Sequence, residues 1–311
     1  MKTGAVIVAA GKNSDWEQFL PLKKIGSISA IERIIYTFRQ AGVEQIVIVT
    51  GNQAELIEKH LSGTGVVFIR NEKYAETEML DSAKIGLEYV QKCDRVFFTP
   101  ADVPLFSVQT LKALLECGAN VCIPMYNGRE GHPLLISSDL IDGILNYSGN
   151  LGMRGAVFST SMLVSAVSVD DRGILLDIDS ETASQKHIDM HNRQLLRPIM
   201  NLSLAREQNF MNSLTANLLE IIAETNSVKL ACERLKISYS LGWKMLKTIE
   251  KNLGKPIVSK SRGGIGGGYS ELTEDGKELL RRYRMFQKEC FKFAEENFEK
   301  WFEPYKKNRD I

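Results

Sequence analysis

The sequence has no apolar run near the ~20 residues that a membrane-spanning helix needs. That excludes a helical membrane protein as the reading of this chain. None of its five cysteines forms a Cys-x-x-Cys pair: Cys93, Cys117, Cys122, Cys232 and Cys290 are scattered. That excludes a zinc ribbon or a disulfide framework and predicts buried thiols in a reducing cytoplasm. The N-terminal Met-Lys-Thr-Gly runs straight into a strand-like segment, so no secretory leader is expected and the location expected is cytoplasmic. There is no internal repeat, and the one low-complexity stretch is a glycine run, Gly263-Gly264-Ile265-Gly266-Gly267-Gly268. No Gly-Lys-Ser/Thr follows that run, so it is not a Walker loop. What remains is an ordinary globular composition, 44% hydrophobic and 25% charged, over 311 residues. That length accommodates two domains, each with its own core.

Net charge is also nearly absent, at +1, but it is unevenly spread. Residues 1–196 carry 18 Lys+Arg and 23 Asp+Glu, whereas residues 197–311 carry 21 and 15. An acidic half joined to a basic half predicts two functions, with nucleic acid a candidate partner for the second.

The first half alternates β-branched runs (Ala5–Ala10, Gln45–Thr50, Gly65–Arg70, Arg95–Pro100, Val121–Met125) with helical patterns (Ser29–Gln40, Gln53–His60, Thr77–Val90, Ser107–Cys117). This predicts an α/β domain over 1–190: a doubly wound, mostly parallel, Rossmann-like sheet. Ligands of such sheets bind beyond the carboxyl ends of the strands, so the loops after Ala10 and Pro100 should face one crevice. The first loop, Ala9 to Gly26, is where backbone N–H groups approach a phosphate. In the second, Asp102 stands where a carboxylate can hold Mg²⁺ on a triphosphate. The alternative for Asp102 is a helix cap or turn aspartate before Pro104.

The periodicity fades around 182–200, which predicts a polar linker over 191–212. Beyond it, 213–311 reads as helices at Leu214–Thr225, Val228–Leu235 and Ser240–Asn252. Two short strands around the glycine run follow, then a long helix from Thr273 to about Trp301. That order predicts a winged helix-turn-helix whose third helix enters the major groove of double-stranded DNA. Ser240, Lys244, Lys247 and Lys251 form its outward stripe, and Lys260 and Arg262 arm the wing. Leu241, Met245, Leu246, Ile249 and Leu253 form the inward stripe, with Trp243 expected in the core. A solvated helix face is the plain alternative for the lysines. In the last helix, Leu279, Tyr283, Phe286, Cys290, Phe293, Phe298 and Trp301 recur at roughly helical spacing and predict a partner, a homodimer or the first domain.

Two resemblances attach to these residues. Residues 3–190 resemble the molybdenum-cofactor nucleotidyltransferases through Ala9-Ala10-Gly11, Ile25-Gly26-Ser27, Asp102-Val103-Pro104-Leu105, Gly131-His132-Pro133 and Asp177-Ile178-Asp179-Ser180-Glu181. The resemblance implies metal binding by Asp102, Asp177 and Asp179, and a substrate crevice lined by Gly131, His132 and Pro133. It implies nucleotide contacts from Ala10, Gly11, Asn71 and Ser82. A core or turn histidine is the other reading of His132. The implied reaction joins a nucleotide from CTP or GTP to a molybdopterin phosphate, with Mg²⁺ as cofactor. The opening loop departs from the family: its arginine falls on Asp15, its second glycine on Glu17 and its lysine on Leu20. Two anions at ~4 Å cost about 1 kcal/mol in water and about 4 at an effective dielectric of 20. Lys12, Lys23 and Lys24 are the cations left to compensate. Residues 218–283 resemble the DNA-binding domain of molybdate-responsive, LysR-related regulators, through Glu224–Leu235, Ile237–Lys244, Glu250–Val258, Arg262–Gly268 and Leu272–Gly276. Together these imply a dimeric transcription regulator whose first domain binds a nucleotide or molybdopterin-type ligand. The alternative is an active cytidylyl- or guanylyltransferase with an appended DNA-binding domain.

Overall fold

The computed structural model describes residues 2–11, 20–62, 64–160, 162–178, 185–261 and 269–307. Lys12, Asp15, Glu17, Asp179, Arg262 and the glycine run lie outside the described residues. Contacts group Met1–Leu61 and Val66–Leu196 into one compact unit, and Ser62–Gly65 with Arg197–Ile311 into a second. Among the described residues no helix is long and apolar enough to cross a membrane.

The first unit is built on β1 (Thr3–Ala9), buried at every position. Then come the small hairpin β2 (Lys24–Ile25) and β3 (Ile28–Ser29), α1 (Ala30–Gln40), β4 (Gln45–Thr50), α2 (Ala54–His60), β5 (Val67–Arg70), α3 (Met79–Tyr89), β6 (Arg95–Pro100) and α4 (Val108–Glu116). Next are β7 (Val121–Tyr126), β8 (Arg129–Glu130), β9 (Leu134–Ser137), α5 (Ile141–Asn146), α6 (Gly152–Ser159), β10 (Val164–Ser168) and α7 (Gln185–Gln194). The sheet order is β10-β7-β9-β6-β1-β4-β5, with β8 on β7. It is mixed but mostly parallel: β9 runs antiparallel to both β6 and β7, an inversion the sequence reading did not contain. On one face Ala5, Ile7 and Ala9 join Ile31, Ile34, Ile35 and Phe38 of α1 and Leu111 and Leu114 of α4. On the other, α3 lies over Val6 and Val49. A strand covered on both faces is apolar throughout, which is why β1 shows no alternation.

The second unit holds the hairpin β11 (Ser203–Ala205) and β12 (Asn209–Asn212), then α8 (Ser213–Thr225), α9 (Val228–Leu235) and α10 (Tyr239–Leu253). The antiparallel pair β13 (Val258–Ser261) and β14 (Tyr269–Leu272) and the long α11 (Glu274–Lys307) complete it. Asn212, Ser227 and Ser238 each cap the helix that follows by accepting a backbone N–H. α9 and α10 approach closely at Gly242, where an added Cβ would stand 2.3 Å from Cys232 Sγ. Gly242→Val is therefore expected to destabilise this unit by about 1–3 kcal/mol through overpacking, read as a lowered midpoint in denaturant unfolding.

Three expectations are corrected here. The predicted linker is instead the end of α7 followed by the β11–β12 hairpin. α7 escapes an apolar-period search because His191 is its one buried side chain. Cys117 and Cys122 are paired in a disulfide, and Cys290 is partly exposed, so only Cys93 and Cys232 are buried thiols. Leu241 is 42% exposed, and Trp243 is half-buried on the lysine face. On α11 Tyr283 is buried, and Phe286, Phe293 and Trp301, part of the stripe for which a partner is expected, are exposed in the single chain.

Candidate active site

β1 and β6 are parallel neighbours in register, with Val8 opposite Pro100. Both chains therefore leave the sheet at the same edge, and the Ala101 N–H donates to the Val8 carbonyl at 2.9 Å. Beyond that edge lies a cleft of ≈ 360 Å³. Ala10, Gly11, Leu20, Pro21, Tyr74, Thr77, Ser82 and Asp102 are among its lining residues. Ligands of open α/β sheets occupy this position.

Asp102 does not cap the next helix. Ser107 does, accepting from Thr110 N–H at 3.1 Å, while Asp171 accepts from Ser107 N–H at 2.7 Å. The Asp102 carbonyl accepts from the Ile178 N–H at 2.8 Å, which sets exposed Asp177 one residue from that contact. The Lys23 ammonium donates to the Ile178 carbonyl at 3.4 Å. The Ile178 backbone thus links the Asp102 main chain to Lys23, 155 residues before Ile178 in sequence. Asp102 is among the cleft's lining residues, and Lys23, Lys24 and Asp177 are not. Lys24 is exposed on β2. Among the described residues no group of three His, Cys, Asp or Glu is placed to hold a metal. Asp102 and Asp177 offer only hard oxygen donors, the kind that suits Mg²⁺.

Asn71 and Ser82 are also brought together. Buried Asn71 donates to Thr77 Oγ1 at 2.8 Å and to Ser82 Oγ at 3.0 Å, and accepts from Lys73 N–H at 3.0 Å. Its amide is spent bracing the loop, so Ser82 lines the cleft and Asn71 stands behind it. Tyr74, Thr77, Glu78 and Met79 line the cleft as well and were not singled out from sequence. Their signal was the turn between β5 and α3, at the same carboxyl edge as Asp102.

Gly131, His132 and Pro133 are not among the cleft's lining residues. The Gly131 N–H donates to Pro124 O at 2.9 Å and the His132 N–H to Ile174 O at 3.0 Å, and the His132–Pro133 peptide is cis. A Cβ on Gly131 would stand 2.4 Å from the Ile174 carbonyl oxygen, so only glycine fits this approach. The His132 ring meets Phe98 edge-on at 6.1 Å, and burial pushes its pKa down to about 4. It is neutral at pH 7.

In the second unit, Ser240, Lys244, Lys247 and Lys251 share one exposed face of α10 with Trp243 and Thr248, lining a shallow depression of ≈ 340 Å³. Tyr239 meets Trp243 edge-on at 6.1 Å. Lys260 lies on β13.

Comparison with known proteins bears on the first unit. The molybdenum cofactor cytidylyltransferase of Escherichia coli K12 is 26% identical over 194 residues, 60% of this chain and 97% of that protein. The bifunctional protein GlmU of Syntrophomonas wolfei is 30% identical over 121 residues, 37% of this chain and 26% of its own length. A nucleotidyl transferase from Methanothermobacter thermautotroptrophicus superimposes with a TM-score of 0.52 at 24% identity, covering 62% of this chain and 98% of that one. That likeness concerns the fold. A family model, the MobA-like NTP transferase domain, matches residues 5–163, just over half the chain. By that match the chain belongs to the family of MobA-like NTP transferase domains.

Proposed function

We propose that the first unit transfers a nucleotidyl group from CTP or GTP to a molybdopterin-type phosphate. The observation that carries this reading is Asp102, in one cleft with the Ala10–Gly11 backbone and joined through Ile178 to Lys23. The N–H groups after β1 hold the phosphates of the nucleotide. Asp102 and Asp177 would hold a divalent cation, which when bound neutralises the triphosphate and polarises the α-phosphate. An oxygen of the acceptor phosphate forms a bond to the α-phosphorus, and the bond from that phosphorus to the pyrophosphate oxygen breaks. Lys23 sits where it can offset charge on the departing pyrophosphate. Leu20, standing where the family pattern has lysine, is buried and lines the cleft; in this reading Lys23 supplies the cation in its place, tied to Ile178. The relationship to a molybdenum cofactor cytidylyltransferase supports the choice of acceptor. Pyrophosphate release that requires both nucleotide and molybdopterin tests it; release indifferent to the acceptor would overturn the acceptor class.

A second reading, of the second unit, is favoured by the exposed lysine face of α10. The order α8, α9, α10, then the β13–β14 pair, supports a winged helix-turn-helix binding double-stranded DNA. In this reading a second copy covers the exposed stripe of α11, and nucleotide or pterin in the first unit biases DNA affinity. Replacing Lys244, Lys247 and Lys251 by alanine is expected to reduce the slope of log affinity against log salt by about 3. A wild-type affinity that does not change with salt would remove the DNA reading.

A further inference from the structure

Arg33, on α1, is 1% exposed. Burial pulls its pKa down to about 10, so it stays protonated at pH 7. Among the described residues no carboxylate pairs with it. A buried charge without a counter-charge costs stability unless every donor is used.

The donors of Arg33 are used in two directions. Nε donates to the Ile25 carbonyl at 3.1 Å, and Nη2 donates to the same oxygen. Nη1 meets His191 Nδ1 at 3.0 Å, and Nη2 donates to Asn192 Oδ1 at 2.8 Å. An arginine nitrogen only donates, so His191 Nδ1 accepts and its proton sits on Nε2.

The first direction leads to the cleft, the second to α7. Ile25 ends the strand that starts at Lys24, directly after Lys23, and Leu20 and Pro21 before them line the cleft. His191 and Asn192 lie on α7, the next helix after Ile178, where Lys23 and Asp102 are joined. One guanidinium therefore ties the segment that enters the site to α7.

We propose that Arg33 is a positioning residue for the nucleotide site, acting through Lys23: clamped between the Ile25 carbonyl and the His191–Asn192 pair, it holds the β2–β3 hairpin so that the Lys23 ammonium stays at the carbonyl of Ile178, whose N–H is held by Asp102. This rests on the nucleotide reading of the cleft. It assigns no chemical step to Arg33.

The test is a double-mutant cycle in the full chain, reading the Kd for CTP and for GTP with Mg²⁺ by calorimetry. Lys23→Met is expected to weaken binding about tenfold, the scale of one charge-assisted hydrogen bond. Arg33→Lys keeps the charge but loses the fork that reaches both anchors, and is expected to weaken binding by a similar factor. The double variant should bind no more weakly than Lys23→Met alone, because Arg33 acts through Lys23. A merely structural arginine would give losses that multiply, and that result overturns the proposal, as does an Arg33→Lys protein that binds like wild type. If Arg33→Lys melts too early to assay, Asn192→Ala, which removes one anchor only, takes its place in the cycle with the same criterion. A wild-type protein that binds neither nucleotide overturns the nucleotide reading together with this inference. Wild-type binding with multiplying losses overturns this inference alone.

Discussion

Asp102→Asn is expected to lower nucleotide turnover by about a hundred- to a thousandfold while leaving the melting midpoint of the first unit in place. The substitution keeps size and shape and removes one negative charge. The main chain here is part of the fold: the Asp102 carbonyl holds the Ile178 N–H, and its neighbour Ala101 donates to Val8. Both bonds survive in asparagine. What is lost is the ionised carboxylate at the carboxyl edge of β6, the group available to hold a cation on the triphosphate. Pyrophosphate release at saturating nucleotide, with a thermal melt in parallel, measures the split. Turnover near wild type would show that the carboxylate takes no part in the reaction.

The second large effect is on stability in mild acid. Burial pushes the pKa of His132 down to about 4, and burial together with the Arg33 charge pushes that of His191 down to about 3. In the unfolded chain both return to the ordinary 6.5. Between these values the unfolded state binds protons that the folded state refuses, so stability is complete above pH 6.5 and falls as pH drops toward 4. Each histidine subtracts about 1.4 kcal/mol per pH unit in that window, and the pair about 3. From pH 6.5 to 4.5 the loss is about 5 kcal/mol, comparable with the whole stability of a small domain. Glu32, held below the usual carboxylate range by hydrogen bonds from Ser29 despite the opposing effect of burial, acts in the same direction. Denaturant midpoints across pH 7.5 to 4.5 measure it, and His191→Gln should roughly halve the slope. Residues 197–311 contain none of the four histidines, which makes the second unit an internal control. A first-unit stability that is flat over this range would show that the two rings are protonated without unfolding.

Five strands of the first unit, β1, β4, β5, β6 and β7, were legible because burial on both faces leaves apolar runs such as Ala5-Val6-Ile7-Val8; β9 and β10 were not read. Asp102 was legible too, since it closely follows the apolar run of β6 and so falls at a strand's carboxyl end whatever the strand order. Helices with caps and apolar stripes were read to within a few residues, as with Ser29 before α1 and Ser238 before α10. What escaped was held by polar contacts. α7 docks through His191, Asn192 and Gln194, whose Oε1 accepts from Val108 N–H at 2.9 Å, and no periodicity announces such a helix. The Cys117–Cys122 pair escaped because a spacing of five carries no motif. Trp243 was misplaced because an aromatic ring on an amphipathic helix looks inward by pattern, whereas this one shares the lysine face. The altered charges at Asp15 and Glu17 were legible as departures from the family pattern, and the fold then gave Lys23 a partner at Ile178.

α7 also determines where this polypeptide can be divided. By sequence pattern the first unit ends near residue 190; by its bonds it ends near Leu196. A cut at 190 would remove His191, Asn192 and Gln194 together. It would leave a protonated guanidinium in the interior with one carbonyl for company, and the Val108 amide at the start of α4 without its acceptor. The stretch that looks most like a dispensable tether is the last brick of the first unit, and the separable joint of the chain begins only after it.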